Sequence, residues 1–367
     1  MKKFIYCVIS VLLCIGVVVG VLFFAADAET PPTQNGTIVE DDGSGTGTTD
    51  DSVLNEDGGG KPSNGDGLNG GTETPDVNEL KPLSDPTNLS SLRISGMQTM
   101  SGASIYVGDD SSLDPAMRFT CLIENPLRTE IESDKTKQAG ILIAPLDYFE
   151  AVNPNAYTYM DWITEFDKAG KTYILGLFDG YLKYDSDTSA VRFNLANVVY
   201  KNMNREFAAI GVIITTKDGV SSYQYASYEN GINYRNNARS VAYVASAALN
   251  AHTLGLETFD EAELAKLKSY VNMSVDHANG LLAPTHDDST YELEITTGTT
   301  ATLTVGDTYA INCKLTPNVN VPIWYRSTDT DVITVDNAGV VTAHKAGTAT
   351  VRIFLAGVEK KVEITVT

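Results

Sequence analysis

Apolar and polar side chains alternate in short runs through the C-terminal part of the chain. The runs cover residues 311–315, 332–334, 340–342, 348–352 and 362–366. Glycine, asparagine, aspartate and proline residues separate them, and these residue types form tight turns. Period-two runs at such close spacing are typical of a β-sandwich. The pattern therefore predicts a small β-sandwich, with Trp324 in its core on a central strand.

Strand-like segments also fill the middle of the chain. They cover residues 92–95, 104–107, 116–124, 140–144, 172–178, 191–195, 206–216 and 221–226. Asp218 and Gly219 separate the last two segments, and an Asp-Gly pair is the expected turn of a two-residue hairpin. These segments predict a second, larger β-sandwich.

The hydrophobic period changes after these strands. Residues 238–249 repeat apolar side chains on one helical face and predict a first helix. Thr258 and Glu261 have the spacing of a capping box, which predicts the start of a second helix. Residues 284–290 then form a predicted hinge to the C-terminal module. The middle region, residues 86–290, is therefore predicted to be a β-sandwich with two appended helices.

The C-terminal residues resemble a known family. Leu-Thr-Val-Gly-Asp at 303–307 is followed by Trp324, by Asp-Asn-Ala-Gly at 336–339 and by Lys-Ala-Gly-Thr at 345–348. In this order they resemble the bacterial Ig-like group 2 domain (BIG2), a small β-sandwich of surface and secreted proteins. The resemblance implies an Ig-like fold for residues 291–367 and a spacer or adhesive role, since such modules are almost never enzymes. The predicted fold class of the whole chain is mainly β.

Parts of the middle region are similar to an uncharacterised exported domain of Gram-positive anaerobes. The similar stretches are residues 102–108, 117–120, 140–145, 206–212 and 239–244. The resemblance implies display on the outside of such a bacterium. It gives no activity and assigns no functional residue.

Residues 1–28 predict export. Lys2 and Lys3 precede an apolar run from Phe4 to Ala26, and the small residues Ala26 and Ala28 fit a signal-peptidase site. The run is also long enough to cross a bilayer as a helix. Two alternatives therefore stay open, cleavage after Ala28 or retention as an N-terminal membrane anchor. In both, the folded domains are predicted to be extracellular, at the cell surface.

Residues 29–85 predict a disordered acidic linker, because they are rich in Gly, Asp, Asn, Thr, Ser and Pro and poor in large apolar residues. They hold thirteen acidic residues against two lysines, a net −11 of the chain's −21 at pH 7. A flexible segment of this length spans roughly 40 Å. The acidic balance and the lack of basic clusters argue against nucleic acid as a partner.

Aromatic residues near loops and strand ends are the best candidates for ligand contacts. They are Tyr157, Tyr159, Trp162, Tyr181 and Tyr184. Aromatic rings suit sugar faces and protein interfaces, because they bring a large contact area at a small entropic cost. The alternative is that these rings are ordinary structural side chains.

Two acidic loops offer the oxygen ligands that Ca²⁺ prefers. The first holds Asp109, Asp110 and Asp114, and the second holds Asp185 and Asp187. Neither follows the EF-hand pattern, and solvated turns are the alternative. The four histidines lack metal-binding spacing, so a zinc site is not expected. No cofactor is predicted apart from this Ca²⁺.

Cys121 and Cys313 lie in strand-like runs of separate domains. Two buried free thiols are favoured over an interdomain disulfide, although an oxidising compartment leaves the disulfide open.

These patterns predict a non-enzymatic function, the binding of a surface glycan or an extracellular protein at the cell surface, with the Ig-like module as a rigid presenter. One alternative is a structural component of the cell envelope without a ligand of its own. Another is a glycan-active enzyme, whose paired carboxylates are near each other only in space and leave no sequence spacing.

Overall fold

The structure is a computed structural model that describes residues 90–107, 115–155, 157, 159–178, 180–229, 234–281 and 292–367. The predicted export segment, the linker and the hinge at residues 284–290 lie outside the described residues. In the described part of the chain, no helix is both long enough and apolar enough to span a membrane.

Strands dominate the described fold, which confirms the mainly β fold class. The strands of the middle region are β1 (Arg93–Thr99), β2 (Ser104–Tyr106), β3 (Ala116–Glu124), β4 (Lys137–Pro145), β5 (Ile174–Leu177), β6 (Leu182–Lys183), β7 (Thr188–Leu195), β8 (Phe207–Lys217) and β9 (Val220–Tyr228). The strands of the C-terminal module are β10 (Glu292–Ile295), β11 (Thr300–Leu303), β12 (Thr308–Ala310), β13 (Cys313–Thr316), β14 (Trp324–Ser327), β15 (Ile333–Val335), β16 (Val340–Ala343), β17 (Gly347–Leu355) and β18 (Val358–Val366). The α-helices are α1 (Asn125–Ser133), α2 (Leu146–Val152), α3 (Trp162–Lys168), α4 (Val241–Leu254) and α5 (Glu261–Ala278).

The strands of the middle region form one sheet, in the order β5-β4-β8-β9-β1-β3-β7-β6, with β2 paired to β3. Neighbouring strands run antiparallel, except β1 and β9, which are parallel. β8 and β9 form the predicted hairpin, in which Lys217 pairs with Val220 across the turn. Asp218 and Gly219 both have positive φ, 51° and 79°, as this two-residue turn requires.

Both faces of this sheet are buried. In β4, Leu142 and Ala144 pack in one core with residues of α2 and α3, while Ile141 and Ile143 belong to a second core. Helices α1 and α4 pack on that second side, and α5 packs on α4. A strand buried on both faces shows no polar alternation, which explains the continuous apolar runs of β4 and β8. The middle region is therefore one sheet between helices, where the sequence predicted two packed sheets with two appended helices.

The sheet is strongly curled. Gly176 of β5 and Phe193 of β7 lie near opposite ends of the strand order, yet the Phe193 ring packs against the Gly176 backbone. A β-carbon at position 176 would lie only 2.1 Å from this ring. Glycine is therefore the residue that lets the two ends of the sheet approach each other.

Helix α5 begins with a capping box two residues beyond the predicted one. Asp260 accepts the backbone amide of Glu263 at 2.8 Å, and the Glu263 carboxylate accepts the backbone amide of Asp260 at 2.8 Å. The prediction of a capping box at Thr258 and Glu261 was wrong, because Asp260 and Glu263 have the same spacing and aspartate is the stronger N-cap.

The C-terminal module contains a four-stranded sheet, β11-β18-β17-β14, a three-stranded sheet, β12-β16-β15, and the pair β10-β13. Its fully buried side chains come from both larger sheets and include Val351, Ile353, Ile364, Ile333 and Val341. Side chains that alternate between such a core and solvent are the defining feature of a sandwich. The arrangement confirms the Ig-like β-sandwich.

The core aromatic residue of β14 is Tyr325. It is 6% exposed, and its hydroxyl donates to the Cys313 sulfur at 3.7 Å. Trp324 is half-buried, with the Arg326 guanidinium over its ring, and β14 is the last strand of its sheet. The prediction of a core tryptophan on a central strand was wrong, because successive residues of a strand point to opposite faces and Tyr325 takes the inward one.

Both described cysteines are free. Cys121 is fully buried, and burial raises the pKa of its thiol to about 12. Cys313 is half-buried, and burial raises the pKa of its thiol too. The sequence favoured free thiols over an interdomain disulfide, and the structure agrees. Protonated thiols of this kind act as small apolar side chains.

We expect Gly176→Ala to lower the free energy of unfolding by about 3 kcal/mol, because an added methyl group in a packed core displaces the Phe193 ring. Urea denaturation of the full chain measures the loss. In the matched double variant with Phe193→Leu, the smaller side chain makes room, so the combined loss should be smaller than the sum of the single losses. Strictly additive losses would contradict the contact between the two residues.

Candidate functional site

Tyr181 and Tyr184 flank the short edge strand β6 at one end of the sheet. Tyr184 is 44% exposed and is the only aromatic residue among the exposed large hydrophobic side chains of the described residues. Tyr181 is partly buried and packs against the core. Residues 181–189, which comprise β6, the following turn and the start of β7, are called the hairpin edge below.

Asp185 fixes the turn of the hairpin edge. Its Oδ1 accepts the backbone amides of Asp187 at 2.8 Å and of Thr188 at 2.7 Å. The backbone amide of Tyr184 donates to the Thr188 carbonyl at 3.2 Å. Aspartate commonly folds a turn in this way, by bonding backbone groups that follow it. The backbone that carries Tyr184 is therefore held by its own local sequence.

Helix α1 fixes the hairpin edge to the rest of the domain. The Asn125 side-chain amide donates to the Ser186 carbonyl at 3.0 Å, and the Asn125 backbone amide donates to the Asp187 carbonyl at 2.9 Å. Arg128, one turn further along α1, donates to the Ser189 hydroxyl at 3.2 Å. The hairpin edge is thus attached to α1 through Ser186, Asp187 and Ser189.

Arg128 also lies over the Tyr181 ring, with its guanidinium carbon 4.8 Å from the ring centre. Glu132 holds Arg128 through an ion pair of 2.9 Å. Burial raises the pKa of Tyr181, the negative charge of Glu132 adds to the rise, and the positive charge of Arg128 opposes it. The Arg128 guanidinium is thus stacked on the neutral phenol of Tyr181 and held there by Glu132.

The other three aromatic candidates lie elsewhere: Tyr157 and Tyr159 in the connection between α2 and α3, and Trp162 at the first residue of α3. Tyr157 and Trp162 belong to the core on the opposite side of the sheet from Tyr181. Trp162 is 2% exposed, and its ring centre lies 5.1 Å from that of Phe149. Trp162 therefore packs in the core and offers no open ring face. The structure does not bring the five aromatic candidates together.

Tyr157 and Tyr159 are both partly buried. The Tyr157 amide donates to the Asn153 side chain at 2.8 Å, and the Tyr157 carbonyl accepts from the same side chain at 3.0 Å. The Arg93 guanidinium lies 5.8 Å from the centre of the Tyr159 ring. Both rings are less exposed than that of Tyr184, so they form a weaker candidate surface.

Of the two loops that were predicted to offer Ca²⁺ ligands, the structure describes only the second. Asp109, Asp110 and Asp114 lie outside the described residues. Asp185 and Asp187 lie together in the hairpin edge, where Asp185 binds backbone amides and Asp187 accepts a neighbouring serine hydroxyl at 2.8 Å. Within the described ranges, no group of three or more His, Cys, Asp and Glu residues is placed to hold a metal ion. Calcium binding at the hairpin edge stays a prediction.

Sequence reasoning missed α1 and its contribution to this edge. A local signal was present, because Leu127 and Ile131 are buried four residues apart and Pro126 lies in the first turn, where proline is favoured. No local signal showed where α1 docks. Asn125 and Ser186 are 61 residues apart in the chain, so their contact depends on the folded sheet.

Residues 294–366 match the family model of the bacterial Ig-like domain (group 2). This match agrees with the sandwich topology of the C-terminal module. It covers that module alone, so the similarity of the middle region to an exported domain stays a prediction. No match to the chain was found among curated proteins.

Solved structures with some likeness to the chain are multidomain proteins. Domains 4–9 of the surface layer protein SbsC match with 8% identity and a TM-score of 0.18, over 75% of this chain and 30% of that one. The N-terminal four Ig domains of Dscam1 isoform 4.44 match with 9% identity and a TM-score of 0.17, over 75% of this chain and 54% of that one. The chain thus spans less than two thirds of either structure. TM-scores this low carry no argument about fold or function.

We expect Trp162→Ala to lower the free energy of unfolding by about 3–5 kcal/mol, because the variant loses a large buried side chain. Tyr184→Ala should change the same quantity by less than about 0.5 kcal/mol, as substitutions of exposed residues do. Chemical denaturation of the two variants measures both effects. A loss above this range for Tyr184→Ala would show that its ring packs in the fold and does not face solvent.

Proposed function

We propose that this chain is an exported, non-catalytic protein of the cell surface that binds a surface glycan or an extracellular protein through the hairpin edge. The observation that carries the proposal is the exposed ring of Tyr184 on a backbone that Asp185 and α1 hold in place. The Ig-like module supports the surface location and the non-catalytic role, since such modules are typical of non-catalytic surface proteins.

The hairpin edge has the chemistry of a sugar-binding or protein-binding surface. An amphipathic ring stacks on the apolar face of a sugar or on a flat protein surface, and the gain comes at little loss of side-chain freedom. The turn is already ordered by Asp185, so binding does not have to order the loop first. Lys183 and Asp187 belong to the hairpin edge and Asn125 bonds to it, and in this proposal their polar groups orient the ligand.

The N-terminal residues complete the proposal. Residues 1–28 direct the chain out of the cell, as a cleaved signal peptide or as a membrane anchor, and residues 29–85 act as a tether. A tether that reaches roughly 40 Å lets a folded domain contact ligands away from its attachment point. Nucleic acid is not proposed as a partner, because the folded part and the linker have no basic cluster.

An array of glycans and extracellular-matrix proteins, probed with the purified full chain, tests this function. We expect reproducible binding that falls about 30-fold in Tyr184→Ala, because truncation of a central aromatic contact costs about 2 kcal/mol. Tyr181→Ala should weaken binding as well. Tyr159→Ala is the matched control, since it removes a tyrosine on the other connection and should leave binding unchanged.

Repeating the array with and without Ca²⁺ tests the calcium hypothesis. If Ca²⁺ bridges ligand and protein at the hairpin edge, binding requires Ca²⁺ and Asp187→Asn lowers it. Equal binding in both conditions would contradict a role for Ca²⁺, and the proposed binding through the aromatic side chains would still stand. Absence of binding by the full chain in both conditions would overturn the binding function and favour a structural component of the envelope without a ligand.

A further inference from the structure

Helix α4 presents a row of polar side chains to the C-terminal module. Ser246, Asn250 and Thr253 are spaced so that they lie on one face of the helix. Ser246 and Asn250 are fully buried, and Thr253 lies at the rim. A buried polar side chain is stable only when its hydrogen-bonding groups find partners. The hydrogen-bond partners of these side chains therefore identify the segment that packs on this face of α4.

The side chain of Asn250 forms its hydrogen bonds with the C-terminal module. Its Nδ2 donates to the Pro322 carbonyl at 3.2 Å and to the Phe354 carbonyl at 3.4 Å. Its Oδ1 accepts the backbone amide of Gly357 at 3.0 Å. The side-chain amide thus uses both of its N–H groups and its oxygen on backbone groups of the module.

The other two polar residues contact the same segment, the turn between β17 and β18. The Ser246 hydroxyl accepts the backbone amide of Ala356 at 3.0 Å. The Thr253 hydroxyl lies 3.3 Å from the Gly357 carbonyl and 2.9 Å from the Leu249 carbonyl of its own helix. The two consecutive amides of the turn therefore both donate to side chains of α4.

The conformation of this turn is what aligns its two amides. Ala356 and Gly357 both have positive φ, 46° and 80°, as in the tight turns of two-residue hairpins. Ala356 is only 4% exposed, although a hairpin tip in an isolated sandwich faces water. A β-carbon at Gly357 would lie 3.5 Å from the Leu249 β-carbon. The fit against α4 is therefore close as well as hydrogen-bonded.

The apolar contacts around this turn join the two parts of the chain. Leu249 and Ala251 of α4 are buried, and so are Phe354 and Leu355 at the end of β17. The second core runs without a break from the middle region into the module. Apolar burial of this kind stabilises the contact, and the buried Asn250 restricts it to one orientation, because any shift leaves its polar groups unpaired.

We infer that the Ig-like module is a fixed part of the fold of the middle region, held by recognition of its Ala356–Gly357 turn on α4, and that it does not move as an independent spacer on a hinge. This inference is separate from the proposed function, because it concerns no residue of the hairpin edge. It assigns Ser246, Asn250 and Thr253 to a turn-binding surface whose occupant is the β17–β18 turn of the same chain.

Hydrogen exchange of the unmodified full chain tests the inference. The Asp218–Gly219 turn between β8 and β9 is the internal control, because it is also a two-residue turn with positive φ but is exposed to solvent. We expect the amides of Ala356 and Gly357 to exchange at least ~100-fold more slowly than the control turn, at rates close to those of the surrounding core. Equally fast exchange in both turns would overturn the inference.

An Asn250→Asp variant gives a second test. The substitution keeps the size of the side chain but replaces the donor to Pro322 and Phe354 by an acceptor, so the amides of the turn should exchange at least ~10-fold faster than in the unmodified chain. Asn318→Asp, at an exposed position of the same module, should cause no change. Unchanged protection of the turn in Asn250→Asp would contradict the assigned role of Asn250. If that variant fails to fold, the comparison of the two turns in the unmodified chain still tests whether α4 holds the β17–β18 turn.

Discussion

The arrangement of the folded parts depends on the burial of α4. Nine of its 14 residues are buried, and they are distributed around the helix instead of along one stripe. A helix buried on most sides needs neighbours on most sides. The sheet and α5 supply two of them, and the C-terminal module supplies the third. Small alanine side chains let these neighbours approach closely, while Ser246 and Asn250 satisfy the backbone groups that the approach buries.

At the hairpin edge, on the surface of the protein, side chains also satisfy the backbone groups of a turn. Asp185 and Asn125 bond the backbone of the turn, so the turn is ordered although its side chains face solvent. The Tyr184 ring can then be exposed without loss of stability, because the hydrogen bonds of its backbone do not depend on the ring. An ordered backbone that presents an exposed ring is a favourable starting point for binding, since little conformational entropy remains to be lost.

The middle region and the C-terminal module differ in how many faces of their strands are buried. Helices cover both sides of the middle sheet at β4 and β8, so the inner residues of these two strands form continuous apolar runs. The C-terminal module has one core between two sheets, so its strands alternate. This difference explains why alternation identified the module correctly, whereas the apolar runs of β4 and β8 did not reveal whether a second sheet or helices covered them.

Features that depend only on neighbouring residues could be predicted from the sequence. These are the short strands of the module, the turn at Asp218 and Gly219, and the existence of two long helices, because period and turn chemistry act within a few residues. Which aromatic candidate is exposed depends on the packing of the whole fold: Trp162 fills a core and Tyr184 faces solvent, although both are amphipathic aromatic residues near the end of an element. Tertiary structure also decided that α1 holds the hairpin edge and that α4 binds a turn of the C-terminal module. These contacts join segments that are far apart in the chain, and burial depends on what the folded chain brings against a residue, which local pattern does not encode.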